Sequence, residues 1–464
     1  MRAVGLVVEP FNLINILKVE GINELNQHGS LKITGLIEAE KEKAYQEMAE
    51  REKWVKVDVV LENGEKNRFF CGLLTSVYLQ KENQLSILTL EMKTGSYLLD
   101  MGAHTRSFQQ TGIFYQEIID TCLEAADGAS ILSEKEDSKT QTWFMQYQET
   151  DWAFLKRLAS HIGVPLIPET RLPGKKLYLG YRFHRKEELD LWEHYRIEQD
   201  FGEVELKQAL GQPDLWSKDV ISYVVSTREL YSLGGRVVFQ GKELMVGRVK
   251  TRLEGQELYH EYWLITPQRG LVPPYYNTTL AGIALSAKVS AVEKTMVQIE
   301  LTEDENKGKY GGRWFDYATI YSTPDGTGWY CMPEVGDEVR LVFPDKEEGH
   351  AYVVSSVHLG AEGGRDNPQK KFWRNKQNKE IVFTPDAIWL RNNQGLSVEL
   401  SDTEGIKMVS DKDILLQAEG DIRIKSQGGD IHMAAEKRIL LQQGAAKVEV
   451  TDAINISGGK IYMN

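Results

Sequence analysis

A short apolar motif recurs at a nearly constant step through the last part of the chain. Each unit places two large apolar residues around one central residue, and the first residues of five consecutive units, beginning with Ile406, lie 8, 8, 9 and 8 positions apart. This alternation has the two-residue period of a β-strand, and the repeat is too short for a helical repeat. We therefore predict one short strand in each of seven units: Ile406–Met408, Ile414–Leu416, Ile422–Ile424, Ile431–Met433, Ile439–Leu441, Val448–Val450 and Ile454–Ile456.

The segments between the units are rich in Gly and Asp, which favour sharp corners. A ribbon of such strands cannot bury its apolar row by itself, and a single-chain β-helix needs coils of about 20 residues. We therefore predict that residues 380–464, which we call the needle, wind with identical copies into an intertwined β-helix. An ordinary edge sheet on a globular domain is the alternative. The predicted core comprises Ile406, Ile414, Leu416, Ile422, Ile424, Ile431, Met433, Ile439, Leu441, Val448, Val450 and Ile456.

Composition limits the classes of function that this chain could have. The 464 residues suffice for three or four domains. The net charge is −13, and no cluster of Lys and Arg stands out from its acidic neighbours, which argues against a nucleic-acid partner. The three cysteines are far apart and imply no disulfide framework. No apolar run approaches the length of a membrane span, and the N-terminus lacks a convincing cleavage site. We expect synthesis in the cytoplasm without a signal peptide.

The remainder of the chain is predicted to be mainly β with a few helices. We expect a first β-barrel over 1–100, a mixed α/β segment over 101–215, the strands of a second barrel over 216–280, an OB-type barrel over 281–360 and a linker over 361–379. Within the mixed segment, Thr150 is a good N-cap, and Gly163 with Pro165 ends the helix that follows.

Three segments resemble one known family. QYQETDWAFLKRLA at 146–159 is similar to the signature of VgrG proteins and of the hub proteins of contractile phage tails. GWYCMPEVGDEVRLVF at 328–343, followed by AYVVSSVH at 351–358, resembles the OB domain of that family. The repeated tail resembles the triple-stranded β-helix of phage spikes. The order of hub, OB domain and needle is also that of VgrG, and the resemblance covers nearly the whole chain.

The resemblance implies a homotrimeric spike that caps the tube of a contractile injection system and punctures a target envelope. Tail tube and baseplate proteins are the expected partners of the hub, and a PAAR-type tip protein is the expected partner of the last unit, residues 460–464. The particle would meet a membrane or cell wall transiently and act outside the producing cell or in a target cell. The resemblance does not specify whether the system is a phage tail, a tailocin, a type VI system or an extracellular injection particle.

Two other classes of function remain as alternatives, a spike that degrades cell wall and a receptor-binding fibre. The carboxylate pairs at 187–188 and 347–348 are adjacent in sequence, so on a strand they would face opposite ways, and no Gly-x-Ser-x-Gly motif occurs. The nine histidines never form His-x-His, and His432 is expected on the polar side of its strand. We therefore predict no catalytic residue, no cofactor and no metal site.

Overall fold

The computed structural model describes residues 3–51, 53–124, 130–133, 138–188, 194–212, 214–358, 360, 365–457 and 459–460. The chain divides into two units, residues 1–358 and 359–464. The first unit contains the expected hub and OB regions, and the second contains the repeated tail.

The hub begins with six strands and one helix. Antiparallel pairing connects these strands, and the aliphatic faces of β3, β4 and β6 enclose a core around Ile33, Val57 and Leu90. The elements are β1 (Ala3–Glu9), β2 (Asn15–Glu24), β3 (Ser30–Ile37), α1 (Glu42–Arg51), β4 (Trp54–Leu61), β5 (Lys66–Glu82) and β6 (Leu85–Lys93).

The middle of the hub is a mixed α/β segment, as predicted. Helix α3 starts where the side chain of Thr150 accepts a hydrogen bond from Ala153 N and ends at Gly163, whose φ of 77° suits glycine. Phe154 and Leu158 on this helix are fully buried. The elements are β7 (Ala103–Phe108), α2 (Tyr115–Glu124), β8 (Ser130–Ser133), β9 (Phe144–Thr150), α3 (Asp151–Ile162), β10 (Leu166–Pro168) and β11 (Lys176–Leu179).

The third part of the hub contains the strands for which a second barrel over 216–280 was predicted, and it has a hydrophobic core of its own. Strand β16 pairs with β2, with Arg252 opposite Glu20, so that twelve of the described strands form one sheet. The elements are β12 (Arg182–Glu188), β13 (Tyr195–Gln199), α4 (Phe201–Ala209), β14 (Ile221–Thr227), β15 (Gly235–Phe239), β16 (Lys242–Glu254), β17 (Glu257–Ile265) and α5 (Pro267–Gly270).

The OB region is a closed five-stranded barrel. Its order is β18-β19-β20-β22-β21, and its interior contains Val297, Phe315 and Leu341 with almost no exposure to solvent. The strands are β18 (Ala284–Glu293), β19 (Met296–Leu301), β20 (Phe315–Ala318), β21 (Glu338–Val342) and β22 (Tyr352–Val354). The prediction of an OB-type barrel in this part of the chain is therefore confirmed.

The second unit contains two antiparallel meanders. The first starts at Lys371, inside the stretch that was expected to be a linker, and the second comprises the last three strands. The strands are β23 (Lys371–Arg374), β24 (Glu380–Phe383), β25 (Ala387–Arg391), β26 (Ser397–Ser401), β27 (Gly405–Val409), β28 (Ile439–Gln443), β29 (Ala446–Val450) and β30 (Ile454–Ser457). Residues 410–438 between them contain no strand, so the units at 414, 422 and 431 lack the strands that the repeat predicted.

Candidate functional site

The first meander of the second unit presents an apolar face. Its register places two cross-strand rows side by side, because residues two apart on a strand share a face. The side chains of Leu390, Ile406 and Met408 are 55%, 68% and 58% exposed, and a groove of about 670 Å³ runs along the first row. The first row is Trp373, Ile381, Leu390, Val398 and Met408, and the second is Lys371, Phe383, Ile388, Leu400 and Ile406.

The last three strands repeat this arrangement. Ile439, Val450 and Ile454 form one cross-strand row, and Leu441, Val448 and Ile456 form the neighbouring row on the same face. The central residues Leu440, Glu449 and Asn455 form a row on the opposite face. The sequence prediction that apolar and central residues of each unit face opposite ways therefore holds in both sheets.

Residues 410–438 have an unpaired backbone. They make no backbone–backbone hydrogen bond to any other described residue, although unpaired peptide groups are costly once they leave water. Their predicted core residues are all at least half exposed: Ile414, Leu416, Ile422, Ile424, Ile431 and Met433. This segment therefore has strand-like alternation but no strand partner among the described residues of its own chain.

An ion cluster holds the polar face of the first meander. Glu380 is 8% exposed and accepts hydrogen bonds from Arg374 at 2.5 Å and Arg391 at 2.6 Å. Burial alone would raise the pKa of Glu380, but the hydrogen bonds from Arg391 and Arg374 lower it below its ordinary value. The guanidinium groups also stack on Phe372 and Trp389. The buried carboxylate of Glu380 is thus paired within its own sheet.

The hub residues just before the signature segment contribute directly to the OB barrel. Trp143, which immediately precedes β9, and Met145 in β9 are fully buried in the OB core, and Trp143 lies against Phe315 and Phe343. The indole of Trp143 donates a hydrogen bond to the backbone oxygen of Glu348 at 2.6 Å. The hub and the OB barrel therefore share one core.

Arg157 in α3 connects the same two regions through buried charges. Its guanidinium is fully buried and donates to Glu149 at 2.8 Å, to Glu348 at 2.6 Å and to the backbone oxygen of Met145 at 2.9 Å. Burial lowers the pKa of Arg157, but the two carboxylates outweigh that effect and raise it overall. Glu149 and Arg157 of the signature thus form a buried ion pair, which their spacing in the sequence did not indicate.

An acidic loop of the OB region, residues 304–306, binds the edge of β7. Asp304 accepts from Ser107 N at 3.0 Å, and Glu305 accepts from Thr105 N at 3.0 Å. Arg106 bridges Glu305 and the buried Asp151, at 3.2 Å and 2.6 Å. Together with the Arg157 cluster, these contacts make the junction of hub and OB barrel a dense ion network.

One cluster in the hub has the residue types of a hydrolase triad. His28 lies 2.8 Å from Ser96 Oγ and 2.8 Å from Asp100 Oδ2, and Thr150 donates to the other oxygen of Asp100. Ser96 is fully buried and its hydroxyl also contacts Thr94, so a substrate carbonyl cannot reach it. Burial lowers the pKa of His28 despite the hydrogen bond to Asp100. We assign the cluster to positioning the N-cap of α3.

Two other expectations concern metal and the tip. The described residues contain no group of three His, Cys, Asp or Glu side chains that could hold a metal ion, and His432 is exposed. Four of the five residues in the last unit, 461–464, lie outside the described part of the chain. No helix in that described part is both long enough and apolar enough to cross a bilayer.

Two family models match the first unit. Residues 24–169 match the phage tail baseplate hub, and residues 286–358 match the type VI secretion system/phage-baseplate injector OB domain. A comparison with curated protein sequences gives no match. The first match contains the 146–159 signature, and the second contains both OB segments, 328–343 and 351–358.

Solved structures share the fold at low identity. The E. coli c3393 protein is described as a component of the type VI secretion system with structural similarity to the T4 bacteriophage tail proteins gp27 and gp5. It aligns with a TM-score of 0.52 and 14% identity over 76% of this chain and 99% of its own. A chain of the half-lidded Francisella PdpA–VgrG complex aligns with a TM-score of 0.53 and 8% identity over 88% of each chain. The chain therefore contains a phage tail baseplate hub domain followed by a type VI secretion system/phage-baseplate injector OB domain, and its fold is similar to that of VgrG-type and phage tail proteins.

Proposed function

We propose that this protein is a homotrimeric spike that caps the inner tube of a contractile injection system and punctures the target envelope with its needle. The observation that carries this proposal is the pair of apolar faces in the second unit, separated by the unpaired backbone of residues 410–438. Identical chains can supply a partner surface for the apolar faces and strand partners for the unpaired backbone, because each copy brings the same apolar rows and the same unpaired strand edges. The number three follows from the resemblance to triple-stranded spikes.

The exposed apolar side chains support an obligate assembly. Ile406, Leu415 and Ile454 are 68%, 81% and 70% exposed, and obligate interfaces are more apolar than the rest of a protein surface. The large apolar side chains exposed along the needle fit that description.

Adjacent leucines provide a matched test of this proposal. Leu441 is 59% exposed and lies on the apolar face, whereas Leu440 is 38% exposed and lies on the face with Glu449. We expect Leu441→Asp to dissociate or destabilise the trimer, because a carboxylate would enter its core unpaired, at a cost of several kcal/mol per copy. Leu440→Asp should leave the trimer intact. Sedimentation velocity on both variants measures the result.

Equal behaviour of the two variants would contradict the proposal, because the proposal assigns the two leucines to opposite environments. A monomeric wild type at micromolar concentration would contradict it as well. The puncturing role is tested separately by dye release from target vesicles on contraction of the assembled particle, with the Leu441→Asp particle as the comparison. Dye release equal to that of the wild type from a particle with a dissociated needle would argue against puncture by the needle.

The junction of hub and OB barrel suits a part that transmits force. Trp143, Arg157 and Glu348 connect the two regions through a shared core and buried ion pairs, and removing one partner of such a pair costs about 3–5 kcal/mol. We propose that the hub binds tube and baseplate proteins and that a PAAR-type protein binds the C-terminal end. Cell-wall degradation and receptor binding remain the alternative functions, and peptidoglycan turnover and glycan binding assays test them.

A further inference from the structure

A cavity lies at the junction of hub and OB barrel, and the proposed function does not use it. Its volume is about 460 Å³, which lies within the range of small-molecule sites. Its walls include Tyr115 in α2 and His161 in α3 of the hub, together with Glu347 and Glu348 in the loop between β21 and β22 of the OB region. An occupant would therefore contact both regions at once.

Two polar groups on buried residues of this wall have no protein partner. Glu348 is 1% exposed, and Arg157 and the amide of Met145 both donate to its oxygen Oε1, at 2.6 Å and 3.5 Å. The other oxygen, Oε2, accepts no hydrogen bond from any residue that the structure describes. Tyr115 is 7% exposed, and its hydroxyl likewise has no hydrogen-bond partner in the described part of the chain. Buried polar groups are usually paired, so both groups are open to a ligand.

The imidazole of His161 adds a further acceptor. Its Nε2 lies 3.2 Å from the backbone oxygen of Tyr275, and because a carbonyl oxygen only accepts, Nε2 carries the proton. Burial and the positive charge of Arg157 lower the pKa of His161, so the ring is neutral at pH 7 and its Nδ1 is an acceptor. None of the described residues donates a hydrogen bond to Nδ1. The wall therefore contains three acceptors without a protein donor.

Aromatic rings and negative charge complete the wall. The ring of Tyr276 lies edge-on against that of His161, with 5.2 Å between the ring centres. Burial raises the pKa of the Tyr276 phenol, and the negative charges of Glu347 and Glu348 raise it further. Lys346 places its ammonium group 5.4 Å from the centre of the same ring. A negative field beside aromatic rings favours a cationic ligand.

We propose that this cavity binds a primary ammonium ion, carried either by a free amine or by a lysine side chain of another polypeptide. An ammonium group has three N–H donors, and Glu348 Oε2, His161 Nδ1 and the Tyr115 hydroxyl are three acceptors for them. An anion fits less well, because the two carboxylates outnumber the one lysine of the wall, Lys139, whose ammonium group lies over the ring of Phe114. This binding does not depend on the proposed function.

Isothermal titration calorimetry on the full-length protein tests the proposal. The probes are cadaverine, as a free amine, and Nα-acetyllysine amide, as the lysine of a polypeptide. Nα-acetylnorleucine amide is the matched probe without the ammonium group. The test variants are Glu347→Gln, which lowers the negative charge of the wall, and Tyr115→Phe, which removes one acceptor. The control variant is Glu300→Gln, because Glu300 is exposed on β19 of the same barrel and does not line the cavity.

We expect at least one of the two amines to bind the wild type and Glu300→Gln with equal affinity. Binding of cadaverine alone assigns the site to free amines, and binding of Nα-acetyllysine amide alone assigns it to a lysine of another polypeptide. Affinity should fall at least about fivefold in Glu347→Gln and about threefold in Tyr115→Phe. Failure of both amines to bind, equal binding of the norleucine probe, or unchanged affinity in both test variants would overturn the proposal. A trimer that binds neither amine would contradict only this site.

Discussion

Replacing Arg157 by Met should greatly weaken the junction between hub and OB barrel. The guanidinium is fully buried and bonded to Glu149, Glu348 and the backbone of Met145. Methionine keeps much of the aliphatic stem but leaves the Glu348 carboxylate, whose side chain is 1% exposed, without its partner. Breaking a buried ion pair from one side costs about 3–5 kcal/mol.

Urea unfolding at fixed protein concentration measures the loss, and hydrogen exchange of peptides around 143–149 and 348–351 locates it. The double variant Arg157→Met with Glu348→Gln removes the orphaned charge and should recover about 1–3 kcal/mol. Arg196→Met is the control, because Arg196 is half exposed in its pairs with Glu198 and Glu261 and should lose under about 1 kcal/mol. A loss below about 1 kcal/mol for Arg157→Met would refute the reasoning.

Three further predictions concern the core, pH and the tip. Trp143→Ala should cost about 3–5 kcal/mol in urea unfolding, because it empties a site in the shared core. Burial lowers the pKa of His260 to about 4, so protonation favours the unfolded chain. The free energy of unfolding should fall from pH ~6.5 towards ~4, by roughly 2 kcal/mol between pH 7 and 5. His260→Asn should lack this pH-dependent loss. A pH profile of the variant equal to that of the wild type would contradict the role of His260. Deleting residues 454–464 should abolish co-purification of a tip protein, whereas the control variant Leu440→Asp should still co-purify with it. Co-purification after the deletion would contradict binding of a tip protein at this end of the needle.

Local patterns predicted local structure well. Thr150 and Gly163 bound α3 as their residue types require, and the alternation in the repeat placed Leu441 and Leu440 on opposite faces. Both signals depend on residues close in sequence, where backbone preference and side-chain period act directly. The family signature was also readable, since its residues are contiguous.

Long-range contacts could not be predicted in the same way. Arg157 and Glu348 are 191 residues apart, and no local sequence pattern in either segment indicates that the two side chains pair. The strand pair β2–β16, which connects the strands of the two expected barrels, likewise joins distant segments. The absence of strands in 410–438 has a different cause in our account, since their partners belong to other copies. From one sequence, strand partners in other copies can be inferred only because the strand motif repeats.

The mass of the intact protein in solution tests the trimer most directly. Multi-angle light scattering on the full chain at micromolar concentration should give three times 52.8 kDa, with no lower-mass species on dilution over about tenfold. That result would agree with apolar faces covered by two further copies. A mass of 52.8 kDa under the same conditions, with the needle still folded by circular dichroism, would contradict the account.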